Sequence, residues 1–113
     1  MALAEQPYPA EEMETLVEQA KKASELLKAL SHEHRLMILC ILRDGEKTVS
    51  ELERIMSMSQ AGVSQQLARL RFERLVATRR EGRQMYYSIA DSEVSGLITE
   101  LHQMFCQPKA RKT

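Results

Sequence analysis

Between Thr48 and Arg74 the chain reads TVSELERIMSMSQAGVSQQLARLRFER, and the polar side chains in this stretch are of the types that read nucleic-acid bases. Gln60, Ser64, Gln65, Gln66, Arg69 and Arg71 fall on one face of a helical pattern whose other face carries Val63, Leu67 and Leu70. Glutamine pairs with adenine edges, arginine with guanine edges, and serine with bases or phosphates. Ser59 stands where its hydroxyl can cap the free N–H groups of that helix. Just upstream, Val49, Leu52, Ile55 and Met56 mark a shorter helix, and only Ser57-Met58-Ser59 separates the two. So short a break suits a helix-turn-helix whose second helix enters the major groove of DNA.

A second set of reactive side chains lies outside this stretch. Cys40 and Cys106 are 66 positions apart, and no CxxC is present. In a reducing compartment a permanent disulfide is not expected, so the pair reads as buried thiols, metal ligands or a redox pair. Cys40 alone is explained as a small core hydrophobe. Cys106 lies about 140° around the last helix from its apolar stripe at Leu101, taking 100° per residue, so core packing does not account for it. His102 stands four residues before Cys106, one turn away. Cys40, His102 and Cys106 therefore form a possible three-ligand set for Zn²⁺ or Cu⁺, with no obvious fourth ligand. There is no Gly-rich phosphate loop, no Ser/His/Asp spacing and no HExxH, so neither an enzyme nor a bound cofactor is expected.

These residues need a frame. Met1 to Ala10, with Pro7 and Pro9, reads as a loose arm (residues 1–10). Glu11 to Leu30 carries Met13, Leu16, Val17, Ala20, Ala23, Leu27 and Leu30 as a broad apolar stripe, with Glu11 and Glu12 suited to the helix N-terminus. Ser31 is the expected cap of a second helix running Arg35 to Arg43, apolar all round and hence central to the core. Gly45 is suited to the left-handed turn that ends it.

After the helix-turn-helix, Val76 to Ile89 takes on strand character around a turn at Gly82. Arg79, Arg80, Arg83 and Gln84 are expected near the tip of this hairpin, within reach of phosphates or a minor groove. Asp91 caps a last helix whose stripe is Val94, Leu97, Ile98, Leu101, Met104 and Phe105. Pro108 stops it, leaving a basic tail (residues 108–113). The expected fold is therefore mainly α with a β-hairpin wing, in the order α-α-α-α-β-β-α. It is one winged helix-turn-helix domain over residues 11–107.

The chain has 113 residues and 16 basic against 16 acidic side chains. The net charge of zero hides a division. From Ser59 to Tyr86 six Arg and two Glu give +4, and from Glu5 to Glu33 seven Glu and three Lys give −4. A basic end holds phosphates while an acidic end limits nonspecific binding. No apolar run approaches the ~20 residues that span a bilayer, and the N-terminus lacks the features of a signal peptide. A cytoplasmic protein with no membrane partner is expected.

Over Leu26–Ile89, LLKALSHEHRLMILCIL followed by VSELERIMSMSQAGVSQQLARLRFERLVATRREGRQMYYSI resembles the ArsR/SmtB family of small bacterial winged-helix repressors. The resemblance implies a homodimer joined through its first and last helices, bound to a palindromic operator in double-stranded DNA. Two-fold symmetry would set the recognition helices about 34–36 Å apart, in successive major grooves. The arsenic- and cadmium-type site of the family needs cysteines at the start of the helix-turn-helix, and SELERIM has none. Of the zinc-type ligands on the last helix, only Asp91 matches, since Glu93, Met104 and Gln107 stand at the other positions.

The settings of Cys40 and Cys106 resemble those of the sulfide-responsive branch, the BigR/SqrR-like repressors and the related HlyU. That likeness implies that reactive sulfur species (persulfides) link the two thiols by a disulfide or polysulfide bridge. The bridged dimer then leaves its operator and sulfide-handling genes are derepressed.

Overall fold

A computed structural model describes residues 8–105 of the chain. Five helices and one hairpin follow in the expected order: α1 (Ala10–Leu30), α2 (Glu33–Arg43), α3 (Val49–Met56), α4 (Gln60–Phe72), β1 (Val76–Glu81), β2 (Gln84–Ile89) and α5 (Ser92–Phe105).

Local chemistry sets most of the boundaries. Thr48 and Glu51 form a capping box at the start of α3. The Glu51 amide donates to Thr48 Oγ1 at 3.2 Å, and the Thr48 amide donates to Glu51 Oε1 at 2.9 Å. Ser57, at φ 55°, ends that helix in the left-handed region. Ser59 caps α4 as expected, its hydroxyl accepting from the Gly62 amide at 3.1 Å. A Cβ at Gly62 would stand 3.0 Å from Met58 Cε and 3.3 Å from Ser59 Oγ, so glycine here lets the turn fold back closely on the helix. Asp91 caps α5 through the Val94 amide at 2.9 Å.

At its other end α4 closes with a Schellman motif. The Leu75 amide donates to Leu70 O at 2.8 Å and the Arg74 amide to Arg71 O at 2.9 Å, with Arg74 in the left-handed region at φ 64°. Both Leu70 and Leu75 are buried.

Ser31 does not cap the second helix. Its hydroxyl donates back to Lys28 O at 2.8 Å and closes α1, while His32 Nδ1 accepts from the His34 amide and starts α2 two residues earlier than expected. Ser31 lies next to the free carbonyls of α1, which provide a nearer partner than the following amides.

The core gathers Ala29, Leu30, Ile38, Leu39, Leu42, Leu52, Val63, Leu67, Leu70, Leu75, Val76, Val94 and Ile98. Every helix contributes to it, but unequally. In α1 only Ala29 and Leu30 are buried, so its apolar stripe is uncovered within one chain. The all-round apolar sequence of α2 predicts a central core helix, and the structure covers it only in part. Ile38, Leu39 and Leu42 are buried, whereas Met37 remains 44 % exposed. One side of α2 faces outward because α5 crosses only part of it.

β1 and β2 pair antiparallel from Val76↔Ile89 to Glu81↔Gln84. The two-residue connection Gly82-Arg83 has glycine at φ 64°, the first-position requirement of a type II′ hairpin turn. Lys47 and Tyr87 exchange both backbone hydrogen bonds, at 3.0 and 2.8 Å. The loop between α2 and α3 is thereby joined to β2 by a single antiparallel β-bridge.

Candidate nucleic-acid interface and thiol groove

The two-sided character of α4 follows from its sequence period. Val63, Leu67 and Leu70 are buried, while Gln60, Ser64, Gln65 and Arg69 are exposed. Ser59 is exposed as well, although its oxygen already serves as the cap. Gln66 stands apart from this group. It is half-buried, and its Oε1 accepts from Arg35 Nε at 3.3 Å. The same arginine donates through Nη1 to Ala29 O at 2.9 Å. Arg35 therefore joins the end of α1, α2 and the inner side of α4. A signal for this was present in the sequence, because Gln66 lies three residues after Val63 and four before Leu70, on the buried stripe.

On the wing, Arg80, Arg83 and Gln84 are exposed. Among the described residues Arg69, Arg80 and Arg83 make no salt bridge, so their donors face solvent and are available to an anion. Arg79 differs. The sequence reading groups it with the tip arginines, but its Nε donates to Glu46 Oε1 at 2.9 Å, Nη2 donates to the same oxygen at 2.5 Å, and Nη1 donates to Glu81 Oε1 at 2.7 Å. Its guanidinium also lies 4.7 Å from the centroid of the Tyr86 ring. The hydrogen bond from Arg79 holds the Glu46 carboxyl below its ordinary range, and the two carboxylates raise the Arg79 pKa further. Glu46 and Arg79 are 33 positions apart, and nothing in the local sequence announces the pair.

Cys40 lies elsewhere, half-buried on α2. It lines an apolar groove of about 530 Å³ with Leu36, Met37 and Ile41 of α2, and with Leu101, His102 and Phe105 of α5. Glu33 stands at the same groove. Cys106, the residue after Phe105 in the chain, lies outside the described residues, as do the basic tail and most of the N-terminal arm. Among the described residues no group of three or more His, Cys, Asp or Glu side chains is placed to hold a metal ion. Two members of the possible ligand set, Cys40 and His102, line one groove, and the third is Cys106. No helix among the described residues is long and apolar enough to cross a membrane.

This arrangement has close relatives. The profile described as "Bacterial regulatory protein, arsR family" matches residues 32–78. The chain is 43 % identical over 101 residues to "Transcriptional activator HlyU" of Vibrio cholerae, covering 89 % of this chain and 91 % of that protein. It is 40 % identical over 107 residues to "Biofilm growth-associated repressor" of Agrobacterium fabrum, covering 95 % of this chain and 87 % of the relative. Among solved structures, "Reduced HlyU from Vibrio cholerae N16961" superposes with a TM-score of 0.78 at 42 % identity, over 82 % of this chain and 98 % of that one.

Proposed function

This chain belongs to the arsR family of bacterial regulatory proteins, a transcriptional regulator and not an enzyme, and from that premise we propose that it is a thiol-switched repressor. The reduced protein binds a palindromic operator as a homodimer. Gln60, Ser64, Gln65 and Arg69 reach base edges, and Arg80, Arg83 and Gln84 engage the flanking backbone. The observation that carries this reading is the row of exposed polar side chains on α4, together with wing arginines Arg80 and Arg83 that no carboxylate among the described residues neutralises.

The uncovered helices support the homodimer. Leu16, Val17 and Leu27 of α1 are between 44 % and 58 % exposed, and Met104 and Phe105 of α5 are 67 % and 76 % exposed. Apolar surface of this kind on two helices marks an interface. A second copy supplies matching surface by two-fold symmetry.

Persulfide is the proposed inducer. One thiol takes the outer sulfur of an organic persulfide and releases the organic thiol. The second thiol then attacks the resulting cysteine persulfide, which closes a Cys40–Cys106 disulfide and releases hydrogen sulfide. The electrons lost by the two cysteines reduce the transferred sulfur, so no further oxidant is needed. When each thiol first takes a sulfur from its own organic persulfide, one cysteine persulfide attacks the inner sulfur of the other. Hydrogen sulfide leaves and a trisulfide remains, which spans cysteines whose Cα atoms exceed the roughly 7 Å limit of a disulfide. Either bridge ties α5 to α2 across the groove and biases the dimer against the groove spacing of the operator. Coupling of about 1–3 kcal/mol changes affinity 5–150-fold, enough for a switch. Supporting the thiol reading, Cys40 lines the groove that Phe105 closes, immediately before Cys106 in the chain. The V. cholerae relative is known in a form described as reduced, so redox state is a variable of that protein.

A titration of operator binding with Cys40→Ser and Cys106→Ser tests the switch. Wild type leaves DNA on addition of an organic persulfide, and both variants stay bound. Release of either variant rejects the two-thiol mechanism. The presence of Cys40 and His102 at one groove favours a second reading, a Zn²⁺- or Cu⁺-responsive repressor using Cys40, His102 and Cys106. It predicts that either metal, without persulfide, weakens DNA binding in the same assay.

A further inference from the structure

We propose that Arg79 is a positioning residue, which locks the wing to the loop ahead of the helix-turn-helix and so fixes where the tip arginines stand relative to α4. The inference rests on the DNA-binding reading above but concerns a residue which that reading leaves out.

The geometry spans three adjacent backbone segments. Arg79 lies on β1 opposite Tyr86 of β2. Its guanidinium crosses the Tyr86 ring and reaches Glu46 in the loop bridged to the far side of β2. Side chains two apart on a strand share a face, so Glu81 joins the same cluster and accepts from Nη1. Behind this face, Lys47 and Tyr87 exchange both backbone hydrogen bonds. The next residue, Thr48, is the cap of α3. A displacement of the wing is therefore passed through Glu46 and Lys47 to the first turn of the helix-turn-helix within two residues. Contacts with two carboxylates offset the charge of Arg79 locally, which leaves little of it for phosphate. A planar fork held at two carboxylates and a ring is a directional tie that a point charge cannot reproduce. The Arg79 side chain is half exposed, so the tie acts chiefly on geometry and adds little to stability.

The competing account is that Arg79 is a phosphate ligand parked on carboxylates while DNA is absent. The two differ in charge dependence. On a duplex enriched by the wild-type protein from a random pool, affinity is measured by anisotropy at several salt concentrations for wild type, Arg79→Ala, Arg79→Lys and Arg83→Ala. A phosphate contact removed lowers the slope of log K against log salt by about one, as expected for Arg83→Ala. For a positioning role, Arg79→Ala and Arg79→Lys both weaken binding about two- to fivefold, the range open to an exposed ion-pair network, and keep the wild-type slope. Amide hydrogen exchange at Lys47 and Tyr87, measured without DNA, quickens in both variants. The proposal is overturned if Arg79→Lys binds as wild type while Arg79→Ala loses about one unit of slope, or if exchange at Lys47 and Tyr87 is unchanged. Wild type with no sequence preference for any duplex removes the DNA-binding reading instead, and the exchange measurement then decides the clamp by itself.

Discussion

Helices α4 and α5 are nearly equal in length, both begin at a side-chain cap, and both carry an apolar stripe. Their stripes meet different fates. In α4 Val63, Leu67 and Leu70 are all buried by the same chain, and the outward face is polar from Gln60 to Arg69, with Phe72 left 84 % exposed at the very end of the helix. In α5 Val94 and Ile98 are buried, but Met104 and Phe105 project into solvent from the last turn. A helix whose apolar face is satisfied at home can devote its other face to a ligand. A helix with apolar residues left over must find a partner or lose the hydrophobic gain of covering them, about 25 cal/mol per Å². Under the proposed function the first is the output end of the regulator, and the second belongs to its assembly and input end.

The contrast can be broken most severely at Leu67. Leu67→Ala removes a side chain 1 % exposed and should cost about 2–5 kcal/mol of stability, read as a lower urea midpoint at every protein concentration. A loss that disappears at high concentration would mean that α4, too, depends on a second copy.

Next in size is a pair of neighbours on α4. Gln65→Ala should weaken specific DNA binding by about 1–3 kcal/mol if it pairs with a base. Gln66→Ala should leave affinity closer to wild type and instead lower stability by about 0.5–1.5 kcal/mol through loss of its bond from Arg35. The reverse pattern, measured by anisotropy and chemical unfolding, would reassign which glutamine faces DNA.

The smallest effect on folding is expected at Met104. Met104→Gln should change chain stability by less than about 0.5 kcal/mol at low concentration, as for an exposed site, while it shifts the monomer–dimer equilibrium in sedimentation toward monomer. Unchanged assembly would take the end of α5 out of the proposed interface.

Much of this was legible from the residues. The bounds of α3, the start of α4 and its Ser59 cap were read directly, because capping is decided within three or four residues. The Thr48–Glu51 box is equally local, set by the pattern TVSE, although it is not among the caps expected from the sequence. The inward turn of Gln66 was encoded in its spacing from Val63 and Leu70. Other features were not legible. Arg79 looked like one more wing cation, since the carboxylate that engages it comes from 33 residues upstream. The uncovered side of α2 was hidden too, because an all-round apolar sequence says that burial is favourable but not which neighbour provides it.

By itself the sequence determined the order of elements, the caps of α4 and α5, the polar face of α4 and the separation of basic and acidic ends. All of these depend on interactions between residues close in the chain or on simple periodicity. Only the tertiary structure decided which arginine of the wing is engaged and which face solvent, and which glutamine of α4 turns inward to Arg35. It also decided that Cys40 stands at an apolar groove beside the last turn of α5. Those outcomes depend on contacts between segments 30 or more positions apart, where the geometry of packing, and not residue type, selects the partner.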